Sequence, residues 1–392
     1  MFVGAVKRVR QRRQFEVERL KNWKLLEAFQ GRVLPFLQRQ PITATEEDPR
    51  RTLQALDYAS AFLFAMLNPV LTSLNLVAEA SHCDKMRQVT RAPFSAASFS
   101  DAQHWFNPAI MEKLARELAR EVQAQGLATQ NGDPRLRGLL KSLTAVDGTI
   151  FRAVERMHWA PAAGHGKAVR LHLHFRVLED APEDWTITPG STSEPDVFES
   201  KALAGAFYVG DRLYAQRHAV LEELRQKGVA FVFRLGNHVI MEPVEEPRPL
   251  SSADLAAGVA WDCRVRLGVH GTGPVVRVVR ILAAGKIFHL VTSREDLPAE
   301  IIGLIYRQRW EIEVFFKWIK TIFNCRHWLA ESPAGAAIQL YTVLVAGLML
   351  MLWTGQRPNR RMIEVLRLYL IGWATEEELL HLLERAAGRK KK

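Results

Sequence analysis

The sequence predicts an α/β protein in which helices flank a mixed β-sheet. Three strand-like runs follow one another closely between residues 139 and 191, and a strand, a helix and a strand follow between 206 and 235. Residues 1–138 instead have the apolar spacing of helices. Residues 236–294 hold further strand-like runs separated by glycines. We therefore expect an N-terminal helical region, a central sheet of five strands, and a β-rich insertion before the next long helix.

Size and charge indicate the class of partner. The chain has 392 residues, of which 48% are hydrophobic and 24% charged, as in ordinary folded proteins with a large core. Its formal net charge is +11, which favours a polyanion such as nucleic acid. Cys83, Cys263 and Cys325 are odd in number and far apart, so the sequence predicts no disulfide framework and fits a reducing cytoplasm. Cys325 and His327 alone are too few ligands for a zinc site.

Two segments bear on localisation. The basic N-terminus is not followed by an apolar run of signal-peptide length, so we expect no export signal. Its cluster of cations is a candidate phosphate-binding arm or a solvated tail: Lys7, Arg8, Arg10, Arg12 and Arg13. Residues 338–353 form an apolar run of 16 residues, shorter than the roughly 20 needed to cross a bilayer. We predict a buried helix packed against residues 304–320, and no membrane partner.

Two aspartates stand out in the strand region. Asp147 interrupts an apolar run in AVDGTIF, and Asp211 ends the run AFYVGD. Between them, residues 167–178 alternate apolar and polar side chains, as a half-exposed strand does. His172 and His174 fall on its polar face, where we expect contact with solvent or nucleic acid rather than a metal pair. Either aspartate alone is also typical of a turn or of a helix N-cap.

Residues 304–320 form the most informative segment. Spacings of three and four residues place one carboxylate, three cations and one phenol on a single helical face: Tyr306, Arg309, Glu313, Lys317 and Lys320. Isoleucines and a phenylalanine occupy the opposite face, which predicts burial there. An amphipathic helix with solvated charges has the same pattern. Trp310 and Trp318 lie off the charged face, so we predict that both are packing residues.

Three separated acids suggest a metal site. If the two strands are neighbours, Asp147 and Asp211 meet at one edge of the sheet, and Glu313 reaches them from a helix. Uncompensated carboxylates in one place are costly, so divalent cations are expected between them. Magnesium prefers carboxylate oxygens, and a pair of such ions can activate a nucleophile and stabilise the leaving oxygen of a phosphodiester. We therefore predict two Mg²⁺ ions, with Mn²⁺ as a substitute, and DNA cleavage.

The motifs resemble those of a known family. Tyr306, Arg309, Glu313 and Lys320 have the spacing of the Tyr-Arg-Glu-Lys signature of DDE transposases in the insertion-sequence-four family. AVDGTIF and YVGDRLY resemble its first and second aspartate motifs, and the likeness runs from about residue 140 to 355. The resemblance implies a ribonuclease-H-like core interrupted by a β-strand insertion domain. It also implies a two-metal site, cut-and-paste transposition through a hairpin, and a dimer on paired transposon ends.

Carried over by position, the resemblance implies roles for individual residues. Asp147, Asp211 and Glu313 would be the catalytic metal ligands. Residues expected to bind DNA phosphates are Tyr306, Arg309 and Lys320, together with Arg212 in the second aspartate motif and Lys317 on the helix face. In the family an insertion aromatic can stack on a flipped base. Trp261 and Phe288 are both candidates, and the sequence does not choose between them.

These expectations give a domain plan. Residues 1–138 would bind transposon ends, 139–235 and 297–356 would form the catalytic core, 236–296 the insertion, and 357–392 a helical C-terminal region with a basic tail. The predicted partner is double-stranded DNA, both terminal inverted repeats and target, bound at the nucleoid in a bacterial cytoplasm. Alternatives are a nuclease of the same fold without strand transfer, a non-catalytic DNA-binding derivative, and a membrane protein.

Overall fold

The computed structural model describes residues 24–40, 51–125, 135–136, 143–164, 166–268, 273–322 and 327–388. It has the predicted α/β class. The strands are β1 Leu143–Arg152, β2 Ala168–Arg176, β3 Ala181–Pro189, β4 Phe207–Gly210, β5 Ala230–Leu235, β6 Met241–Pro243, β7 Val259–Leu267, β8 Val275–Ala283 and β9 Lys286–Thr292.

Helices precede, separate and follow these strands. Before the sheet come α1 Lys24–Gln38, α2 Ala55–Leu67, α3 Leu74–Ala80, α4 Asp84–Arg87, α5 Ala96–Trp105 and α6 Pro108–Ala124. Among the strands lie α7 Glu194–Lys201, α8 His218–Gln226 and α9 Ser252–Ala256. After the sheet come α10 Ala299–Gln308, α11 Trp310–Ile322, α12 Pro333–Thr354, α13 Arg360–Leu370 and α14 Glu376–Gly388.

All nine strands form one mixed sheet in the order β3-β2-β1-β4-β5-β9-β8-β7-β6. Strands β1, β4 and β5 run parallel, whereas β2 and β3 pair antiparallel beside β1. The five predicted core strands are therefore all present. The insertion strands do not form a separate sheet, because β9 pairs antiparallel with β5 and extends the core sheet. The exposed edge of β5 is thereby covered.

Two apolar layers enclose the sheet. The larger core joins α1, α2, α5 and α6 to α11 and α12 on one side, and the smaller packs α8 and the β4–β5 region on the other. Helix α12 contains the apolar run and packs mainly against α6 and α2, with a smaller contact to α11. Among the described residues it has the length and composition of a membrane span, yet 83% of its most apolar window is buried inside the fold. Its predicted burial is confirmed.

Strand β2 is buried on both faces, so the expected solvent-facing side was wrong. His172 is 5% and His174 is 7% exposed. The His172 Nε2 atom lies 2.8 Å from Thr188 Oγ1, and the His174 ring packs against Phe198 of α7 and Tyr208 of β4. Burial lowers the pKa of both imidazoles to about 4; neighbouring cations add to the effect, and at His174 the Asp184 carboxylate opposes it. Helix α7 covers the face of β2 that the alternating sequence pattern had predicted to be exposed to solvent.

Local signals in the helical region behave as the sequence suggests. Ser95 begins α5, its Oγ accepting from Ser98 N at 3.0 Å, and Asn107 caps α6. The N-terminal cluster from Lys7 to Arg13 and Cys325 lie outside the described residues, so their predictions stay predictions. The proposed boundary near residue 138 also falls outside them. His327 is described, but its suggested partner is not.

Candidate active site

Strand pairing brings the two predicted aspartates together. In the parallel pair, Thr144 of β1 lies opposite Tyr208 of β4, and Ala145 lies opposite Val209. The same register carried two residues further sets Asp147 opposite Asp211, on strands that are about 4.8 Å apart in such sheets. Asp211 follows β4 directly, as predicted. Asp147 does not end its strand, because β1 continues to Arg152 by pairing with β2.

Each aspartate is held by the backbone that follows it. Asp147 Oδ1 accepts from Gly148 N at 2.8 Å. Asp211 Oδ1 accepts from Leu213 N at 2.7 Å and so caps the 3₁₀ turn Arg212–Ala215. These hydrogen bonds orient both carboxylates without any bound ligand. The sequence reading of Asp211 as a cap is therefore also correct, and capping is compatible with a second role.

The electrostatics at Asp147 are those of crowded carboxylates. Burial and the neighbouring carboxylate of Glu194 raise the pKa of Asp147 to about 7, and Asp211 adds to the rise. The Gly148 amide and the positive charge of Arg309 oppose it. Burial, and then the charge of Asp211, also raise the pKa of Glu194, against the lowering effect of Arg170. The local excess of negative charge would be relieved by a cation.

Glu313 faces the same open cleft as Asp147. The cleft is lined by Asp147, Gly148, Thr149, Glu313, Phe316, Lys317, Lys320 and Thr321. The predicted single helix over 304–320 is in fact two helices, α10 and α11, which meet at Arg309. Here Arg309 N donates to Tyr306 O and Ile312 N donates to Arg309 O, a tightened turn of the 3₁₀ type. This joint aims α11 and its Glu313 at β1.

The predicted cations surround that carboxylate. Arg309 Nη1 donates to Glu313 Oε1 at 2.6 Å, and its guanidinium lies 5.7 Å from the Tyr306 ring centroid. Lys317 and Lys320 line the cleft with exposed side chains, and the Lys320 Nζ atom lies 5.2 Å from the Phe151 ring centroid. The structure thus unites Tyr306, Arg309, Glu313, Lys317 and Lys320 in one area.

Arg212 stands apart from the other predicted DNA contacts. It is exposed in the turn after Asp211, and it is not among the described residues that line the cleft. Its position beside Asp211 keeps it near the aspartate pair along the chain. The predicted DNA contact of Arg212 stays a prediction.

A preformed three-ligand metal cluster is not found. Among the described residues, no three His, Cys, Asp or Glu side chains are grouped closely enough to hold one ion. The donor chemistry nevertheless fits a divalent cation: Asp147 and Asp211 are adjacent oxygen donors in a negative environment, and Glu313 faces Asp147 across the cleft. Mg²⁺ is commonly bound by one or two carboxylates together with substrate phosphates and waters, so a closed protein cage is not required.

The two tryptophans of α11 were both assigned packing roles from the sequence. Trp318 donates from Nε1 to Pro358 O at 2.7 Å and packs on Phe315, so its packing role is confirmed. Trp310 is 59% exposed at the start of α11, so its predicted packing role was wrong. Helical spacing predicts which side of a helix a residue occupies, but it does not predict whether the core extends as far as the end of the helix where Trp310 lies.

The two insertion aromatics lie in different settings. Phe288 is half-buried between the Arg234 guanidinium, 4.8 Å from its centroid, and the Tyr306 ring, at 6.2 Å. Trp261 lies beneath Arg280, whose guanidinium is 4.9 Å from the indole centroid. Phe288 is therefore joined through Tyr306 to the helix break at Arg309.

Sequence reasoning missed Glu194 and Arg170. Glu194 opens α7 and forms an ion pair with Arg170 of β2; their side chains are 9% and 13% exposed. Ser193 before Glu194 indicated a helix start, and nothing else marked the glutamate. Its proximity to Asp147 depends on α7 folding back over β1, which no local pattern reveals.

Comparison with known proteins identifies the family of this chain. Residues 138–349 match the family described as the transposase DDE domain, which is more than half of the chain. A putative transposase, y4zB, of Sinorhizobium fredii is 24% identical over 259 residues, covering 65% of this chain and 68% of that protein. A probable transposase for insertion sequence element IS5377 of Geobacillus stearothermophilus is 27% identical over 252 residues, covering 62% and 67%.

A solved structure, the piggyBac transposase synaptic complex with hairpin DNA, aligns with 90% of this chain and 75% of its own at a TM-score of 0.39 and 10% identity. That similarity is too slight to bear on the fold or on the chemistry. The family match spans β1 to β9 and the helices α10 and α11, and so contains Asp147, Asp211 and Glu313. The chain belongs to the transposase DDE domain family, whose members cleave and join DNA.

Proposed function

We propose that this protein is a DDE transposase of the insertion-sequence-four family, which cuts DNA at the ends of its own transposon and joins them to a target. The main support is the β1–β4 pairing, which, continued two residues beyond Ala145 and Val209, brings Asp147 beside Asp211, together with Glu313 in the cleft that Asp147 lines. Lys317 and Lys320 supply positive charge along the same cleft. Family membership supports DNA as the substrate.

We propose Asp147, Asp211 and Glu313 as the ligands of two Mg²⁺ ions, for which Mn²⁺ could substitute. Bound there, the ions would supply a nucleophilic oxygen and stabilise charge on the leaving oxygen. Before DNA arrives, Arg309 holds Glu313 and neutralises it. A phosphate would compete for Arg309, and the freed carboxylate could then turn toward Asp147.

The remaining side chains would hold the DNA. Arg309 and Lys320 would bind phosphates next to the scissile bond, with Tyr306 ordering Arg309 through its ring face. Lys317 would extend that contact along α11, and Arg212 would meet the backbone beside Asp211. These contacts position the substrate without reading its sequence.

We also propose a ribonuclease-H-like core, followed by an insertion that acts during hairpin formation. The strand order β3-β2-β1-β4-β5, with the last three parallel, supports that assignment. Either Trp261 or Phe288 would stack on a flipped base. Helical residues 1–138 would bind the terminal inverted repeats, and a homodimer would hold paired ends, acting at the nucleoid of a bacterial cytoplasm.

The test is a joining assay. Protein is incubated with DNA carrying its own terminal repeats, a target plasmid and Mg²⁺, and cleaved, hairpin and joined products are separated on gels. We expect all three products, their loss in EDTA, and their recovery with Mn²⁺. Cleavage without joined product would instead identify a nuclease of the same fold. Absence of every product with intact terminal repeats would contradict the proposal.

Two variants of α11 sharpen the assay. Glu313→Gln should lower cleavage by at least about 100-fold, since it removes a proposed ligand, while DNA binding persists. Glu311→Gln, two residues away, is the matched control and should keep activity within a few fold. Glu311 has its nearest cation in Arg357, at 3.8 Å. Unchanged cleavage by the Glu313 variant would show that Glu313 is not a required ligand, whereas a wild type that binds DNA and yields no cleaved product would favour a DNA-binding protein without catalysis.

A further inference from the structure

A buried ion pair lies behind the proposed ligands. Arg170 of β2 pairs with Glu194, the first residue of α7, and also donates from Nη2 to Gly190 O at 2.9 Å. The two side chains are 13% and 9% exposed. Burying such a pair usually gives little net stability, because desolvation offsets the attraction. A contribution to stability therefore does not explain why this ion pair lies next to the proposed ligands.

Glu194 presses against the strand that carries Asp147. A Cβ atom placed on Gly148 would lie 2.7 Å from Glu194 Cδ and 2.8 Å from its Oε2. The carboxylate thus fills the space that a side chain at position 148 would need. Gly148 is also the residue whose amide holds Asp147 Oδ1. Any shift of Glu194 is therefore transmitted to the peptide that aims Asp147.

The same carboxylate reaches the segment that carries Asp211. Tyr214 Oη donates to Glu194 Oε2 at 3.4 Å, and Tyr214 belongs to the 3₁₀ turn that Asp211 caps. A Cβ on Gly210 would lie 2.7 Å from Tyr214 Cδ2, so the tyrosine ring packs tightly on the residue before Asp211. Glu194 is thus in contact with both aspartate-bearing segments at once.

We propose that Glu194, held in place by Arg170, is a positioning residue that sets Asp147 relative to Asp211 for binding divalent cations. This inference rests on the proposed function, because it assumes that these aspartates are metal ligands. Glu194 Oε1 is committed to Arg170 and Oε2 to Tyr214. The pair therefore acts through the aspartates and does not add a ligand.

The experiment measures Mn²⁺ binding by isothermal titration calorimetry on the full-length protein, beside the DNA cleavage assay. Glu194→Gln keeps the shape and removes the charge, and Arg170→Met removes the partner. Both should weaken Mn²⁺ binding by about tenfold or more, as supporting residues around metal ligands do. Asp57→Asn is the matched control: Asp57 is a buried carboxylate, 6% exposed, that pairs with Arg91 among the N-terminal helices. It should leave Mn²⁺ affinity within about twofold.

The outcomes are separable. Wild-type protein that neither binds Mn²⁺ nor cleaves DNA refutes the proposed function, and this inference with it. If the wild type is active, a folded Glu194→Gln variant with unchanged affinity refutes the positioning role alone. Tighter binding by Arg170→Met would refute it too, because a freed Glu194 would then be acting as a ligand. Equal weakening by Asp57→Asn would show a general loss of stability and overturn the inference.

One further variant covers the case in which Glu194→Gln does not fold. Gly148→Ala leaves both charges of the pair in place but drives a methyl group against the Glu194 carboxylate. Weaker Mn²⁺ binding in this variant supports the inference, and wild-type affinity overturns it. Circular dichroism melting curves establish which variants are folded.

Discussion

Replacing a proposed catalytic aspartate should stabilise the metal-free protein. The pKa of Asp147 is about 7 in the fold, against an ordinary value of 3.8. Between these values the folded state keeps a proton that the unfolded chain has released, so stability falls as pH rises from about 4 to about 7. The amide introduced by Asp147→Asn would not titrate, and its oxygen could still accept from Gly148 N. The substitution therefore removes the free-energy cost of ionising Asp147 in the folded protein.

The stabilisation expected for Asp147→Asn follows from the difference between the pKa of Asp147 in the fold and its ordinary value. About three pH units, at about 1.4 kcal/mol each, set a ceiling near 4 kcal/mol at pH 8. Asp147 lines an open cleft, so solvent reduces the penalty, and we expect a gain of about 2–3 kcal/mol for Asp147→Asn. Adding Mn²⁺ should stabilise the wild type and leave the variant almost unchanged, since a ligand stabilises only the state that binds it.

The assay is urea unfolding in EDTA at pH 5, 6, 7 and 8 for both proteins. The advantage of Asp147→Asn should grow from pH 5 to pH 7 and then level off. Asp196→Asn is the control, because Asp196 is a carboxylate of α7 that is 60% exposed; it should not reproduce the gain expected for Asp147→Asn. If the Asp147→Asn protein is less stable than the wild type at pH 8, or if the difference does not depend on pH, the reasoning is refuted.

Three further predictions concern the fold and the cleft. Arg277→Met should lower the free energy of unfolding in urea by about 3–5 kcal/mol, because it strands Asp262, whose oxygens accept from Arg277 at 2.9 and 2.6 Å. Phe315→Ala should cost about 3–5 kcal/mol by the same measurement, since Phe315 is 1% exposed and packs on Phe175. DNA binding by filter retention should weaken steeply with salt, and Lys317→Ala should reduce the slope of log K against log salt by about 1; a flat response would contradict phosphate binding.

Local patterns predicted the elements of the core well. Among the described residues, the five core strands and the helices around them lie near their expected positions, except that the helix predicted over 304–320 is broken at Arg309. Alternation and helical spacing succeed because they reflect which side of an element is buried. The aspartate and glutamate candidates were also found in one area. Their identification required a resemblance between motifs, since an isolated aspartate beside a strand is equally typical of a turn.

Features set by long-range packing were missed. The alternation of apolar and polar residues in β2 predicted a solvent-exposed face, but α7 covers that face, and His172 and His174 are buried. The sequence predicted strands in the insertion but not that β9 pairs with β5, because that pairing is made by backbone groups that carry no side-chain signal. The break at Arg309 also had no local warning, because neither glycine nor proline marks it.

By itself, the sequence determined which residues carry charge, which segments form strands and helices, and the order in which the three acids occur along the chain. Charge and residue order are read directly from the sequence, and the formation of strands and helices depends on neighbours a few residues away. Only the tertiary structure decided that the β1–β4 pairing brings Asp147 near Asp211, that Arg309 holds Glu313, and that Glu194 lies against Gly148. Those contacts arise where strands pair and helices fold over them, and no short-range pattern encodes how distant segments meet.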